Sequence, residues 1–408
     1  MPRHLSLVVA TALMASNALA ADTPTVAASA AARQLAQDAV IVDTHIDAPT
    51  ELLKEWKDLG EPSPGREFDY PRARAGGLDV AFMSIYTSPE EDDTGKARQV
   101  ANMQIDATEA LVARYPDKFA LLRSPGDVNR LRADGHVLLA LGMENGAPIG
   151  DDLAQLANFQ ARGVRYITLA HSRSNRISDS SYDRNHQWQG LSPFGEKVVA
   201  EMNRLGIMVD VSHLSDDGVA DATRLSRVPV IASHSAFRHF TPGFERNLSD
   251  KLAKAIARNG GVVQIPFGIA FINAKAAADL QAFFAAESAL DKRNAEAKAA
   301  GKPLEDVDAF EKKWEADHPL PPTKIDAVLD EIDYGVKLIG VDHVGLGSDF
   351  DGVTGALPEG LRSVADYPNL VAGLQARGYQ DSDIRKILGG NLLRVWTTID
   401  AGKASDVH

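Results

Sequence analysis

Short apolar runs alternate along the chain with longer segments that have the spacing of amphipathic helices. Two of these helical segments, 194–206 and 249–261, end in glycine, which is a helix stop signal. We predict eight strands from the apolar runs, at 40–47, 80–86, 137–144, 166–171, 208–213, 228–234, 261–267 and 343–349. Strands that alternate with helices pair in parallel through right-handed crossovers. Eight such units predict an α/β fold, a (β/α)8 TIM-like barrel.

Two segments are longer than a minimal barrel requires. The first is the loop at about 52–78, which is rich in glycine, proline and charged residues. The second, at about 273–324, follows the seventh predicted strand and is rich in alanine, lysine and glutamate. Its composition predicts a solvated helical insertion, and a lid over the functional site is the alternative interpretation.

The two ends of the chain differ from its middle in composition. Residues 1–20 have a basic start, an apolar centre and the small-residue ending Ala18-Leu19-Ala20, which together predict a secretory signal peptide. We therefore expect export, to a bacterial periplasm or the medium; an uncleaved anchor is the alternative. We predict a flexible lead-in at 21–37, one domain at 38–400, and a polar tail at 401–408 that offers no membrane anchor.

Composition narrows the chemistry that the chain can perform. A formal net charge of −13 argues against a nucleic-acid-binding protein, which normally carries a basic patch. The 408 residues include no cysteine, so neither a thiolate metal site nor a cysteine nucleophile is available. Any catalysis must use histidine, acidic residues, arginine or hydroxyl groups.

Histidines and acids occur where six of the eight predicted strands end. They are His45 and Asp47, Glu144, His171, His213, His234 and Asp349. The carboxyl ends of barrel strands open on one face, where active sites lie. Buried ionisable groups in such number need a compensating charge, and metal cations supply it.

This ligand set favours zinc, with manganese or cobalt as alternatives, because it contains only imidazoles and carboxylates. It exceeds the needs of one catalytic zinc, so a two-metal site with a bridging carboxylate uses it better. Asp79, Asp210 and Asp342 we interpret as structural residues of the helix-cap kind.

These motifs, in this order, resemble the renal (membrane) dipeptidase family of dinuclear zinc peptidases. The resemblance runs from His45 to the segment "GGNLLRVW" at 389–396. Its most specific parts are "MENG", "RYITLAHSRSN", "DVSH", "ASHS", the pair Arg246-Asn247 and "HVGLGSDFDGV". One departure is Asn145, which follows Glu144 where the family often has glycine.

The resemblance implies a metal role for five residues. His45 and Asp47 match the ligands of one zinc, and Glu144 matches the carboxylate that bridges both ions. His213 and His234 match the ligands of the second zinc.

The resemblance also implies three roles toward the substrate. Asp349 matches the acid beside the bridging water, which serves as general base and proton shuttle. His171 matches the residue at the scissile carbonyl. Arg246 matches the arginine that holds the C-terminal carboxylate of the substrate.

The function implied is an exported dipeptidase that attacks the amide bond with a metal-bridging hydroxide. Family members accept varied side chains, often a D-residue at the C-terminal position, and a homodimer is implied by resemblance alone. One alternative is another amidohydrolase-type enzyme acting on a lactone, a cyclic amide including a β-lactam, or a phosphotriester. Those enzymes usually open with His-x-His, whereas this chain has His45-x-Asp47. The other alternative is an inactive protein that binds peptide or metal.

Overall fold

The computed structural model describes residues 28–403, and within them a parallel barrel forms the centre. The strands are β1 Ile41–Ile46, β2 Leu78–Tyr86, β3 Phe119–Leu121, β4 Val137–Glu144, β5 Val164–Thr168, β6 Met208–Asp210, β7 Ile231–Ala232, β8 Val262–Ile265 and β9 Val344–Leu346. Every strand pairing is parallel, in the order β1-β2-β4-β5-β6-β7-β8-β9. A parallel bridge between Ile46 and Phe350 brings the two ends of this order together. The predicted (β/α)8 barrel is confirmed.

Helices follow most strands and cover the barrel. They are α1 Ala30–Asp38, α2 Ala48–Lys54, α3 Tyr70–Gly76, α4 Pro89–Asp93, α5 Ala97–Arg114, α6 Val128–Ala133, α7 Ala154–Arg162, α8 Pro193–Leu205, α9 Asp216–Leu225, α10 Asp250–Arg258, α11 Ile269–Ile272, α12 Ala274–Ala299, α13 Val307–Asp317, α14 Asp326–Ile339, α15 Tyr367–Ala376, α16 Asp381–Arg385 and α17 Asn391–Lys403. Helices α12 and α13 form the predicted helical insertion after the seventh barrel strand, β8.

The sequence missed strand β3, which lies outside the barrel order. Its three residues pair only with β4, beginning with Phe119 opposite Val137. So short a run has no alternation that separates it from a loop. Several predicted strands are also shorter than expected: the run at 228–234 contributes only Ile231–Ala232 to the ladder.

The chain ends also differ from expectation where the structure describes them. Residues 30–37, part of the predicted flexible lead-in, belong to helix α1. Ser29 caps this helix by accepting a hydrogen bond from the backbone N–H of Ala32, at 3.0 Å. Buried Leu35 and Ala36 anchor it to the domain. At the other end, α17 extends to Lys403, into the predicted tail. The predicted signal peptide, 1–20, lies outside the described residues.

The floor of the barrel is apolar and is closed by helix α17. Trp396 of α17 is fully buried, and its ring lies 5.4 Å from that of Phe82 on β2. Phe82 in turn stacks on Tyr166 of β5, with ring centroids 5.5 Å apart. The histidines and acids at the predicted strand ends lie on the opposite side, at the carboxyl end of the strands. Between residues 28 and 403, no helix combines the length and apolar character needed to cross a bilayer.

Candidate active site

The predicted site residues come together at the carboxyl end of the barrel. Each histidine or acid lies in a strand or within three residues of its end. Six of them line one cavity of about 420 Å³: Asp47, Glu144, His171, His213, His234 and Asp349. His45 is fully buried behind this surface, and Arg246 is only 2% exposed. The expectation that these side chains come together at one end of the barrel is therefore confirmed.

Glu144 occupies the centre of the cluster. Its Oε1 lies 3.1 Å from Nε2 of His213 and 3.3 Å from Nε2 of both His171 and His234. Its Oε2 faces the other way, 3.4 Å from Nε2 of His45. A carboxylate whose two oxygens face two different sets of nitrogens has the arrangement required of a bridging ligand.

The remaining ligand candidates are arranged around the same carboxylate. Nε2 of His45 also lies 3.4 Å from Oδ2 of Asp47. His213 and His234 direct their Nε2 atoms at each other, 2.7 Å apart. Ligand atoms of three groups lie within 4.8 Å of one another: His45, Glu144 and His234; His45, Asp47 and Asp349; Glu144, His171 and His213. We call His45, Asp47, Glu144, His213 and His234 the strand-end cluster.

Unsatisfied polar atoms and the charge states of two histidines fit a metal centre. Nε2 of His45 and Oδ2 of Asp47 are buried and have no hydrogen-bond partner within the part of the chain that the structure describes, which is costly unless a cation completes the site. Burial and the guanidinium of Arg246 lower the pKa of His213 well below its usual range. Burial, His45 and Arg246 do the same to the pKa of His234. Neutral imidazoles are the form that binds metal. The third histidine, His45, differs: burial lowers its pKa, but Tyr166, Glu144 and Asp47 outweigh burial and raise the pKa well above the usual range, which is the effect of negative charge that a cation would share.

Glu144 is held as an anion despite its burial. Burial alone raises the pKa of this carboxyl, but the nearby His45 and His171 outweigh that effect and place the pKa well below the usual range. An anionic carboxylate between imidazoles matches the donors that zinc and similar divalent ions accept.

Tyr166 fixes the orientation of His45. Its hydroxyl donates to the backbone carbonyl of Thr44, at 2.9 Å, and therefore accepts a hydrogen bond from Nδ1 of His45, also at 2.9 Å. The Nε2 lone pair of His45 is then directed at Glu144 and Asp47. Gly142 on β4 makes room for this ring, because a Cβ at that position would lie 2.0 Å from it.

Asp210 fixes the orientation of His234 through Ser233. Ser233 Oγ lies 2.6 Å from Oδ2 of Asp210, to which it donates, and 2.8 Å from Nδ1 of His234, from which it accepts. The other Asp210 oxygen accepts from the backbone N–H groups of Ser212 and Ser233. Asp210 is therefore not a helix cap: helix α9 is capped by Ser215. Outer hydrogen bonds of this kind orient metal-binding histidines.

The backbone is strained at the same positions. His213 and Asp349 both have φ of 67°, in the left-handed region that residues other than glycine rarely adopt. Asn145, directly after Glu144, has φ of 77°. Asparagine tolerates this conformation better than most residues, so Asn145 can stand where the family that the sequence resembles often has glycine. Such strain concentrates at functional sites.

Asp349 and His171 lie on either side of Glu144, toward the open cavity. A carboxylate oxygen of Asp349 lies within 4.8 Å of a ring nitrogen of His45 and of a carboxylate oxygen of Asp47. Burial, and next the Asp47 carboxylate, raise the pKa of Asp349 well above its usual range. The ring of His171 lies 4.0 Å from that of His213 and 4.7 Å from that of Tyr86.

Arg246 is a buried cation without a carboxylate partner in the described part of the chain. Its Nη1 donates to Ser235 Oγ at 2.9 Å, and its Nη2 donates to the carbonyl of His234 at 2.8 Å. Its Nε is buried without a partner. The guanidinium lies 5.1 Å from the ring of Phe271. A buried charge of this kind is stabilised when an anion reaches it.

Several residues that line the cavity were not predicted. They include the aromatic and acidic residues Tyr86, Tyr182, Phe271, Phe284 and Glu287. Tyr86 ends β2, so the strand-end argument that found the histidines applies to it as well. Tyr182 lies on a loop and the other three lie on helices α11 and α12, where no strand end marks them.

A parallel barrel whose strand ends bring imidazoles and carboxylates around one buried glutamate defines a metal-dependent hydrolase. The model of the membrane dipeptidase family, peptidase family M19, matches residues 29–406, and the chain belongs to this family. It is a metallo-dipeptidase by family.

Solved structures of bacterial peptidases are similar to this one. The probable dipeptidase PvdM from Pseudomonas aeruginosa is 28% identical, with a TM-score of 0.78, over 91% of this chain and 98% of PvdM. A metallo peptidase from Rhodobacter sphaeroides, liganded with a phosphinate mimic of L-Ala-D-Ala, is 25% identical with a TM-score of 0.71. That match covers 88% of this chain and 99% of the other. Dipeptidase AC of family M19 is 26% identical with a TM-score of 0.71, over 88% and 98% of the two chains.

Proposed function

We propose that the protein hydrolyses the amide bond of dipeptides with two divalent metal ions, zinc before manganese or cobalt. The observation that carries the substrate assignment is Arg246, a buried cation beside the strand-end cluster that has no carboxylate partner among residues 28–403. A dipeptide brings one carboxylate to this position, and the planar arginine fork binds carboxylates well.

Five residues hold the metals in this proposal. His45 and Asp47 would hold one ion, His213 and His234 would hold the other, and Glu144 would contribute to both. When bound, two such ions supply a water activated for attack at neutral pH and polarise the scissile carbonyl. Tyr166 and Ser233 keep the histidine rings in the orientation that binding requires.

Proton transfer is assigned to Asp349. As a carboxylate it takes one proton from the attacking water while the water oxygen bonds to the carbonyl carbon. It then delivers that proton to the leaving nitrogen as the C–N bond breaks, so the products are two free amino acids. His171 donates a hydrogen bond to the carbonyl oxygen as negative charge develops there. No group becomes covalently attached to the protein.

The cavity supports a small substrate. Its volume of about 420 Å³ lies in the lower part of the range for small-molecule sites. The Rhodobacter sphaeroides enzyme is liganded with a mimic of L-Ala-D-Ala. We infer that the present enzyme also accepts a D-residue at the C-terminal position and tolerates varied side chains.

Export and assembly complete the proposal. The composition of residues 1–20 supports cleavage after Ala20 and release into a periplasm or the medium. N-terminal sequencing of the protein recovered from the producing cell tests this. We further propose a homodimer, which a solution mass measurement tests.

The activity is tested with two enzymes against two substrates. Wild type and Arg246→Ala are assayed on a free dipeptide and on its C-terminal amide, with Arg258→Ala on the surface of α10 as control. A hydrogen bond to a charged group contributes about 1.5–3 kcal/mol. Arg246→Ala should therefore lose about 10- to 150-fold in kcat/KM on the free dipeptide and little on the amide. Equal losses on both substrates would show that Arg246 supports the fold instead.

A further inference from the structure

Helix α12 of the insertion is held at the cavity by α13. Phe283 packs against the rings of Phe310 and Trp314 on α13, with centroids 6.0 Å and 5.8 Å away. The next residue, Phe284, lines the cavity. One aromatic residue therefore fixes the helix to its neighbour, and the other faces the site.

Phe284 lies on the side of the cavity where Arg246 is found. Its ring meets that of Tyr182 edge-on, with centroids 5.1 Å apart. Tyr182 also lies 5.9 Å from the ring of His213, whose Nε2 is 3.1 Å from Nη2 of Arg246. Phe271, beneath the guanidinium, completes this side. We call Tyr182, Phe271 and Phe284 the aromatic wall.

Glu287 continues this surface one turn further along α12. Residues three apart share a helix face, and both Phe284 and Glu287 line the cavity. Glu287 has no hydrogen bond or ion pair in the described part of the chain. Elsewhere on the rim the acids are paired: Glu51 lies 2.8 Å from Lys54 and 3.0 Å from Arg66.

The surroundings of Glu287 favour a cation. The carboxyl is partly buried, and Asp291 and Glu311 lie nearby on α12 and α13. Burial and these two negative charges raise the pKa of Glu287 to about 7. A positively charged group beside Glu287 would offset both the cost of burying its carboxylate and the repulsion from Asp291 and Glu311.

We propose that the aromatic wall and Glu287 select dipeptides whose C-terminal residue has a long apolar stem with a cationic end, the class of lysine and arginine. This inference rests on the proposed function, because Arg246 must hold the C-terminal carboxylate for the side chain to face this wall. Phe284 and Glu287 are about 4.5 Å apart along the helix axis. That is the scale of the four-carbon stem of lysine, whose ammonium then reaches Glu287.

The test compares Ala-Lys with Ala-norleucine, which has the same stem without the ammonium. Both are assayed at pH 8, where Glu287 is ionised, with wild type, Glu287→Gln and Glu296→Gln. Glu296 is an exposed residue of the same helix and does not line the cavity. Wild type and Glu296→Gln should prefer Ala-Lys by about fivefold in kcat/KM, the upper end for a pair open to solvent. Glu287→Gln should cleave the two substrates equally.

The outcomes separate this inference from the function on which it rests. If wild type cleaves both dipeptides at similar kcat/KM, or if Glu287→Gln keeps the preference, the role of Glu287 is refuted and the dipeptidase assignment stands. If none of the enzymes cleaves either dipeptide with metal supplied, the dipeptidase assignment fails and the inference fails with it.

Discussion

The strand-end cluster and the inserted helix α12 border the same cavity, but their side chains are held in different ways. Cluster residues are buried, and hydrogen bonds from other barrel strands orient their side chains, as when Nδ1 of His45 donates to the hydroxyl of Tyr166 at 2.9 Å. Of the 26 residues of α12, only Ala276, Ala277 and Leu290 are fully buried. In the proposed function the barrel therefore carries the chemistry, and the insertion presents a surface that can vary without disturbing it.

Because the strand-end cluster is proposed to bind the metals, we expect substitutions in it to abolish hydrolysis. If Glu144 is the shared ligand of two metals, as proposed, Glu144→Ala should remove both. Activity should fall by about 10³-fold or more, since the ions supply several kcal/mol of transition-state stabilisation. Metal analysis and turnover are measured beside Glu196→Ala, an exposed residue of α8. A Glu144→Ala protein with two metals and normal turnover would exclude Glu144 as the bridge.

Asp349→Asn should have the second-largest effect on activity, because it preserves the shape of the side chain but removes the proton acceptor. We expect kcat to fall by about 10²- to 10⁴-fold, the scale of general acid–base catalysis, with a much smaller change in KM. Metal content should stay close to that of the wild type. Should KM alone change, Asp349 binds substrate and the base lies elsewhere.

The difference between the strand-end cluster and helix α12 also explains which features the sequence could predict. Every cluster residue is tied to a strand end, and barrel closure brings strand ends together whatever the loops do. The resemblance then assigned each residue a role. Asp210 was misinterpreted because its partner Ser233 directly follows a different strand, β7, which only the folded barrel places beside it.

The role of the insertion was beyond sequence reasoning for another reason. Composition predicted helices at 273–324, and helices are found. Phe283 and Phe284 are adjacent in an alanine-rich segment, and no periodicity shows which of them faces the cavity. That choice depends on the packing of Phe283 against α13. Of the two interpretations of this segment, a solvated insertion and a lid over the site, only the lid places a helix beside the cavity, where α12 lies.

Ser233→Ala probes the outer hydrogen bonds of the barrel and should have an intermediate effect. Without the hydroxyl, Nδ1 of His234 loses its acceptor and the ring is free to take the wrong tautomer. Loss of such a partner costs about 10- to 100-fold in metal affinity. Competition with a chelator measures the affinity, with exposed Ser382→Ala as control. Unchanged affinity would show that Asp210 and Ser233 serve only the fold.

Phe284→Ala should have the smallest effect and should leave metal content unchanged. Removing the ring deletes the edge-on contact with Tyr182 and opens the wall beside the C-terminal residue of the substrate. An aromatic contact contributes about 0.5–1.5 kcal/mol, so kcat/KM for Ala-norleucine should fall by about 2- to 13-fold. The loss on Ala-Gly should be smaller, because glycine has no side chain to meet the wall. Leu304→Ala, an exposed residue between α12 and α13, is the control. Equal losses on both dipeptides, or loss of metal, would mean that α12 supports the strand-end cluster. The barrel and the insertion would then not divide the work into chemistry and substrate selection.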